Sequence, residues 1–482
     1  MSYISLHNHL NEDSNIKMKD STNKYDEFLD KALELGLKGV AITGHESLCS
    51  HVKAHRYVTE NNDKFKDFQL ILGNEIYLID EIEYIKKMEA NESIKFYHFI
   101  LLAKDDVGYE QLKILSDMAW SRRNVYHGIE RTPTFKQNLS RIVKENPGHI
   151  VASTACLGGE LPYLIIGMRD NPEQKDIYRR KIMEFLKYMK ELFGEDFYLE
   201  MQPSENTDQL YVNDRLRELG KAFNIKCICT TDSHYLTKAE KQTHKIFLRS
   251  RMSDDRETED FYATAHLMSE DEIKEYFEDY ETLKENTLEI GRKIKSETYS
   301  FKHSYIMPPA KMPENFDKAD EIMRLISAPT RTSFEYIPKY YNSPHKIDQW
   351  YLKCLEEGLK KYETEITIDM LERIELELSE VWKVSESLNE RVSQYFVVTK
   401  DIIDLMWKVS LVGVARGSSS CYYTNYLLGI VQISALRFNL PHWRFMSADR
   451  PTMPDKFLVW NMWKHILRNF VNLFIIGCIS YV

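Results

Sequence analysis

The chain has 482 residues, 43% hydrophobic and 29% charged, with a formal net charge of −10. That is ample material for a sizeable core, and the length suggests roughly two to four domains. The acidic excess argues against a broad basic surface that grips nucleic acid unaided. It leaves room for a local basic channel and suits a protein that gathers divalent cations.

The seven cysteines, Cys49, Cys156, Cys227, Cys229, Cys354, Cys421 and Cys478, are odd in number and form no CxxC pair. They read as reduced thiols in a cytoplasmic protein rather than a disulfide frame. The opening MSYISLHNHL has neither the basic nor the apolar region of a secretory signal. The most apolar piece, FVNLFIIGCISYV, is too short to span a bilayer as a simple helix, so no membrane partner is expected.

The first 240 residues alternate between two periodicities. YISLHNH is strand-like. YDEFLDKALELGL then sets Tyr25, Phe28, Leu29, Ala32 and Leu33 on one helical face, with Gly36 at the C-cap. GVAITGH, FQLILGNEIYLI, FYHFILLA, HIVASTACLGG, FYLEMQPS and IKCICTTDSHYL follow as strand-length runs, with helices such as DIYRRKIMEFLKYMKELFG between some of them. This alternation predicts an α/β fold of parallel strands with crossover helices, most simply closed as a barrel.

Residues 241–295 read as helical and charged, and SYIMPPAKMPENFDKADE as a connector at a domain boundary. Helices follow over Gln349–Lys361 and Thr367–Asn389. After them come a strand-like YFVVTKDII and a glycine-serine turn, VGVARGSSS.

In a strand, residues i and i+2 share a face, so His7 and His9 project together. Asp232 and His234 repeat that spacing around Ser233. Both pairs sit at or near the C-terminal ends of strand-like runs, as do His45, Glu75 and Cys156, while His98 falls early in its run. Barrel chemistry collects at one end of the strands. Imidazole and carboxylate suit Zn²⁺, Mn²⁺ or Fe, and a thiolate favours Zn²⁺. Cys227 and Cys229 read as strand core instead, and His51 and His55, beside Lys53 and Arg56, as a solvated helix face.

LHNH, ITGHESL, GNEIYL, YHFILLAKDDVGYEQL, ASTACLGGEL and TTDSHYL resemble the successive motifs of a PHP (polymerase and histidinol phosphatase) domain. The version is that of bacterial and phage C-family DNA polymerases, the DNA polymerase III alpha subunit. The likeness extends through ATAHLMSEDEIKEYF and the glycine-serine loop to about residue 455.

The resemblance implies a PHP-type distorted (β/α) barrel over 1–240, its helical end over 241–295, and a partial α+β nucleotidyltransferase-like palm over 296–455. A divergent apolar tail occupies 456–482. It further implies a trinuclear centre held by His7, His9, Asp20, His45, Glu75, His98, Cys156, Asp232 and His234. Metal-dependent 3′→5′ exonuclease action on DNA is the implied activity. One departure is that Thr43-Gly44-His45 stands where the family usually reads Thr-Asp-His, which removes a supporting carboxylate.

By the same resemblance, Arg416, Gly417, Ser418 and Ser419 would cradle a dNTP, with Mg²⁺ in the intact polymerase site and replisome subunits as further partners. The family's paired Mg²⁺-binding aspartates would fall at Phe457 and Val459, which cannot ligate a cation. No polymerase activity is therefore expected of this chain alone. Two alternatives stay open: a free-standing PHP phosphatase acting on a small phosphate monoester, against which residues 296–455 speak, and a catalytically silent fragment.

Overall fold

The computed structural model describes residues 3–452, apart from positions 15, 17, 123, 127–128, 252–261, 302–306, 308, 328–332 and 415–416. The chain divides after Phe301 into two compact units.

The first unit is built on ten strands. They are β1 (Ile4–Ser5), β2 (Gly39–Ile42), β3 (Gln69–Ile79), β4 (Tyr97–Ala103), β5 (Asn124–Tyr126), β6 (Ile129–Arg131), β7 (Pro133–Phe135), β8 (Ile150–Ser153), β9 (Phe197–Met201) and β10 (Cys227–Cys229). The main sheet runs β1-β2-β3-β4-β8-β9-β10, with β7 added to β3, and β5-β6 form a separate pair.

The strands read as continuous apolar runs because helices cover the sheet: every residue of β3 after Gln69 is buried. Helix Tyr25–Glu34 buries Phe28, Leu29 and Ala32, as its periodicity predicts. Gly36 follows it at φ +71°, a left-handed turn that favours glycine. Helix Lys175–Phe193 likewise buries Ile182, Phe185, Leu186 and Met189.

The sheet is not all parallel, which corrects the sequence expectation. Strand β4 runs antiparallel to both β3 and β8. The helix between β3 and β4, Glu81–Glu89, buries none of its residues. It is an excursion at one end of the sheet rather than a packed crossover, so the chain returns in the opposite direction.

The first and last strands meet through a parallel bridge between Asn8 and Ser233. There the His9 N–H donates to the Ser233 carbonyl (2.9 Å) and the Ser233 N–H to the His7 carbonyl (3.2 Å). The two i, i+2 motifs therefore close the distorted barrel.

Cys229 is buried in β10 and Cys227 half-buried, in keeping with strand core. His51 corrects the solvated-face reading: it is fully buried at the start of helix His51–Glu60, while His55 is half-buried with its ring 4.7 Å from that of Phe301.

The second unit is helical, and among its described residues there is no strand. Its core gathers Tyr351, Leu355 and Leu359 from helix Lys346–Tyr362 with Ile374, Leu378 and Val381 from Ile368–Leu388. YFVVTKDII, expected as a strand, lies inside helix Ser393–Val409. Phe396, Thr399, Ile403 and Met406 are buried at helical spacing, so packing against neighbouring helices overrides the β-branched composition.

Two buried carboxylates organise this unit. Asp348 accepts from Ser343 Oγ (2.6 Å) and Ser393 Oγ (2.5 Å) and pairs with Arg391 (2.7 Å). Glu377 accepts from the Tyr423 and Thr424 N–H groups (both 2.8 Å), and so caps the start of helix Tyr423–Leu427.

A close helix contact at Gly358 yields one prediction. A Cβ there would meet the Leu427 carbonyl oxygen and come within 2.9 Å of the Leu427 Cα. Gly358→Ala should therefore cost about 1–3 kcal/mol through overpacking, read as a lower urea midpoint for this unit.

Candidate metal centre

The antiparallel β4 explains why His98 falls early in its run. His98 pairs with Tyr77 near the C-terminal end of β3. The start of an antiparallel strand thus reaches the barrel end where its neighbours finish.

His7 and His9 follow β1, His45 follows β2, and His45 bridges to Glu75 within β3. Cys156 follows β8, and Asp232 and His234 follow β10. Asp20 comes from the segment between helices Asn11–Ser14 and Tyr25–Glu34. All nine side chains expected as ligands meet at this end.

Glu75 is at the middle, with its carboxylate 3.4 Å from His7, 3.7 Å from His9, 2.5 Å from His45 and 2.9 Å from His98. Asp232 Oδ1 is 3.2 Å from His7 Nε2 and 3.1 Å from His9 Nε2. Asp20 Oδ2 is 3.1 Å from His45 Nε2 and 3.6 Å from His234 Nε2. Cys156 Sγ is 3.5 Å from His98 Nδ1. The His9 ring stacks between those of His45 (4.1 Å) and His234 (4.3 Å).

Three sets of three ligand atoms converge closely enough to share an ion: His9-His45-His234, His7-His9-Glu75 and His45-Glu75-His98. Each pair of sets shares one residue: His9, Glu75 or His45.

The donor chemistry fits divalent cations. Asp20, Glu75 and Asp232 are buried, and histidines are the only basic groups that pair with them among the described residues. Asp20 Oδ1, His45 Nδ1, Glu75 Oε2, Asp232 Oδ1 and His234 Nε2 are buried without a hydrogen-bond partner. His45 Nδ1 and Glu75 Oε2 approach to 2.5 Å without hydrogen-bond geometry, so the pair is close but not satisfied by a direct bond. Groups of this kind stay buried when a metal or a counter-charge satisfies them.

Protonation reflects the crowding. Burial lowers the His45 imidazole, but Asp20 and Glu75 outweigh it and lift it to about 10. Burial, with His45 and His234 beside it, drives His9 down to about 3. Burial raises the Glu75 carboxyl, yet His98 and His45 hold it well below the usual carboxylate range. Burial pushes the Cys156 thiol well up, with Asp232 and Glu75 adding to it.

Backbone strain gathers here too. Lys19, Glu46, Ala155 and Asp232 are non-glycine residues at φ between 47° and 56°, and each is a proposed ligand or its chain neighbour.

Sequence reasoning missed Glu200. Its Oε1 lies 2.6 Å from His7 Nδ1, the ring nitrogen turned away from Glu75. Glu200 accepts from Ser153 Oγ (2.5 Å), Thr230 Oγ1 (2.7 Å) and Gln202 Nε2 (3.1 Å), which fixes its position. The available signal was an acidic residue inside the apolar run FYLEM. His9 Nδ1 has a similar partner in Ser14 Oγ (2.9 Å).

A carboxylate behind a ligating imidazole sets its tautomer and raises its basicity. Glu200→Gln should therefore weaken metal retention by about 10–100-fold, measured by metal content after dialysis, while the fold persists.

Of the glycine-serine residues, Gly417, Ser418 and Ser419 lie among the described residues. Gly417–Cys421 forms a short 3₁₀ turn, with Gly417 at φ +69° and Ser419 buried. Asn425 Nδ2 donates to the Ser419 carbonyl (2.8 Å), and Ser420 Oγ to the Gly417 carbonyl (3.2 Å). No strand leads into the turn among the described residues. Arg416, Phe457 and Val459 lie outside the described residues. No helix among those residues is long and apolar enough to cross a membrane.

Residues 5–204 match the PHP domain family, and residues 349–456 match the bacterial DNA polymerase III alpha NTPase domain. The chain is 37% identical over 477 residues to a DNA-directed DNA polymerase of Bacillus phage SPbeta, covering 94% of this chain and 36% of the relative. It is 26% identical over 464 residues to the DNA polymerase III subunit alpha of Borreliella burgdorferi, covering 94% and 35%. To the same subunit of Aquifex aeolicus it is 26% identical over 478 residues, covering 94% and 36%. The chain thus spans little more than a third of these relatives' length. It carries a PHP domain followed by sequence of the DNA polymerase III alpha NTPase domain, and along nearly its whole length it is similar to DNA polymerase III alpha subunits and to a phage DNA polymerase.

Proposed function

We propose that His7, His9, Asp20, His45, Glu75, His98, Cys156, Asp232 and His234 hold a trinuclear divalent-metal centre that hydrolyses phosphodiester bonds at the 3′ end of DNA. The observation that carries this reading is the set of three overlapping ligand groups, each pair sharing a residue. Zn²⁺ or Mn²⁺, with Fe as a third choice, matches imidazole, carboxylate and thiolate donors. Bound ions would supply the positive charge that polarises a phosphoryl oxygen and acidifies a water.

The protein's own part is positional. Glu75 is shared by two ligand groups and so sets their spacing. Glu200 and Ser14 hold the His7 and His9 rings from behind. Burial of eight of the nine side chains keeps bulk water from competing with the phosphoryl group. The ninth, His98, is 20% exposed in its side chain and marks where a strand end would enter.

Within a whole polymerase this activity would serve DNA replication in the cytoplasm, beside dNTP, Mg²⁺ and other replisome subunits. The chain alone is proposed not to polymerise, because Phe457 and Val459 stand where ligating aspartates are required.

The test is degradation of end-labelled single-stranded DNA by the purified chain in Mn²⁺ or Zn²⁺, with a chelated sample and His9→Ala alongside. Shortening from the 3′ end that vanishes in both controls is the expected result. Intact DNA from a folded, metal-loaded preparation would overturn the nuclease reading. Release of phosphate from small monoesters instead would favour a phosphatase.

A further inference from the structure

Gly44 precedes His45, and its backbone does not adopt the left-handed conformation that demands glycine. What excludes a side chain there is Asp13. A Cβ built on Gly44 would come 2.8 Å from Asp13 Cγ and 3.0 Å from Asp13 Oδ2. The Asp13 side chain, its Cβ foremost and its carboxylate beside it, thus occupies the space that a side chain at position 44 would enter.

Asp13 is fully buried in helix Asn11–Ser14. Its Oδ1 accepts from the Ser50 N–H (2.7 Å) and Ser47 Oγ (3.4 Å), and its Oδ2 from Ser50 Oγ. Among the described residues no lysine or arginine pairs with it, and burial pushes its carboxyl up to about 7. The next residue, Ser14, holds His9 Nδ1. On the other side, the Gly44 carbonyl accepts from the Glu75 N–H (3.1 Å). One side chain therefore stands between the segment that orients His9 and the segment that carries His45.

We propose that Asp13 is a positioning residue of the candidate centre: it fills a buried slot that a carboxylate can enter from position 13 or from position 44, and it fixes the His9 segment against the His45 segment. The inference rests on the metal-centre reading above and adds to it the place of a supporting carboxylate. Two carboxylates cannot share the slot, because they would overlap and repel. An empty slot would leave the Ser47 and Ser50 donors unpartnered and the two segments free to shift.

The test is a mutant cycle of Asp13→Gly, Gly44→Asp and Asp13→Gly/Gly44→Asp. The readouts are bound Zn²⁺ or Mn²⁺ after equilibrium dialysis and the thermal midpoint with and without chelator. Each single change should lower metal affinity about 10-fold or more, the size seen when a supporting partner of a ligand is lost. The double should return to within about threefold of the parent. If Asp13→Gly does not fold, the comparison of Gly44→Asp with the double still decides, since adding the second change should improve both readouts. A double no better than Gly44→Asp, in a parent that loads metal, overturns the shared slot alone. A folded parent that binds neither metal overturns the metal-centre reading, and this inference with it.

Discussion

Glu75→Gln should strip the centre of metal and abolish any metal-dependent cleavage. Glu75 is fully buried and its carboxylate faces four imidazoles, at distances from 2.5 to 3.7 Å. It also belongs to two of the three ligand groups. The amide is nearly isosteric, so the change removes charge without opening a cavity.

Two effects follow. Two ligand groups lose their shared anion together, and a buried array of imidazoles loses the carboxylate that offsets it. Removing one partner of a buried charged pair costs about 3–5 kcal/mol, which is on the order of a thousandfold in affinity. Metal analysis after dialysis should therefore show most of the metal gone, and cleavage should match the chelated parent. Glu34→Gln is the control: that side chain is 69% exposed and pairs, among the described residues, with Lys31, so metal content should not move. Retention of the full metal content by Glu75→Gln would remove Glu75 from the ligand set.

The first unit should also carry an acid-sensitive contribution from His51, separate from that of the candidate metal ligands. His51 is fully buried beside Tyr109, with ring centroids 5.7 Å apart. Burial drives its imidazole down to about 4, against the opposing pull of the Ile42 and Gly73 carbonyls. In the unfolded chain the same group titrates near 6.5. Below that pH the unfolded state binds a proton that the folded state refuses, so stability falls as pH drops from about 6.5 towards 4 and then levels off.

At 1.36 kcal/mol per unit, the loss approaches about 3 kcal/mol by pH 4, and none is present above about 7. The measurement is urea unfolding of the chelated parent and His51→Leu at pH 7.5 and 4.5. Every other titrating group is common to both proteins, so the difference isolates His51. The variant should lose about 2–3 kcal/mol less than the parent between the two pH values. Equal losses would place the acid sensitivity elsewhere.

Much of the candidate site was legible because strand geometry is local. The spacings His7-His9 and Asp232-His234 put each pair on one side of the chain, and the family motifs supplied Asp20, His45, Glu75, His98 and Cys156. What could not be read was anything set by direction or by distant packing. The reversal of β4 follows a helix, Glu81–Glu89, that buries none of its residues fully and touches the sheet through Tyr84 at its end, and that reversal brings His98 to the same rim as the others. Glu200 lies 193 positions from His7 and meets it only because β9 and β1 belong to one sheet whose two ends are brought together at the Asn8–Ser233 bridge.

The same division holds in the second unit. YFVVTKDII has β-forming composition, and its helix exists because Phe396 and Val397 enter the core beside Tyr351 of helix Lys346–Tyr362, while Ile403 and Met406 close over Val412. Gly44 was legible as a missing carboxylate, but the presence of Asp13 in its space was not, since 31 residues of chain separate the two positions. By itself the sequence determined the candidate ligand types, their pairing at i and i+2, and the alternation that builds a barrel. Tertiary structure decided which strand runs backwards, which carboxylates stand behind the imidazoles and which apolar run becomes helix. Those outcomes depend on contacts between residues far apart in the chain, and no local periodicity encodes them.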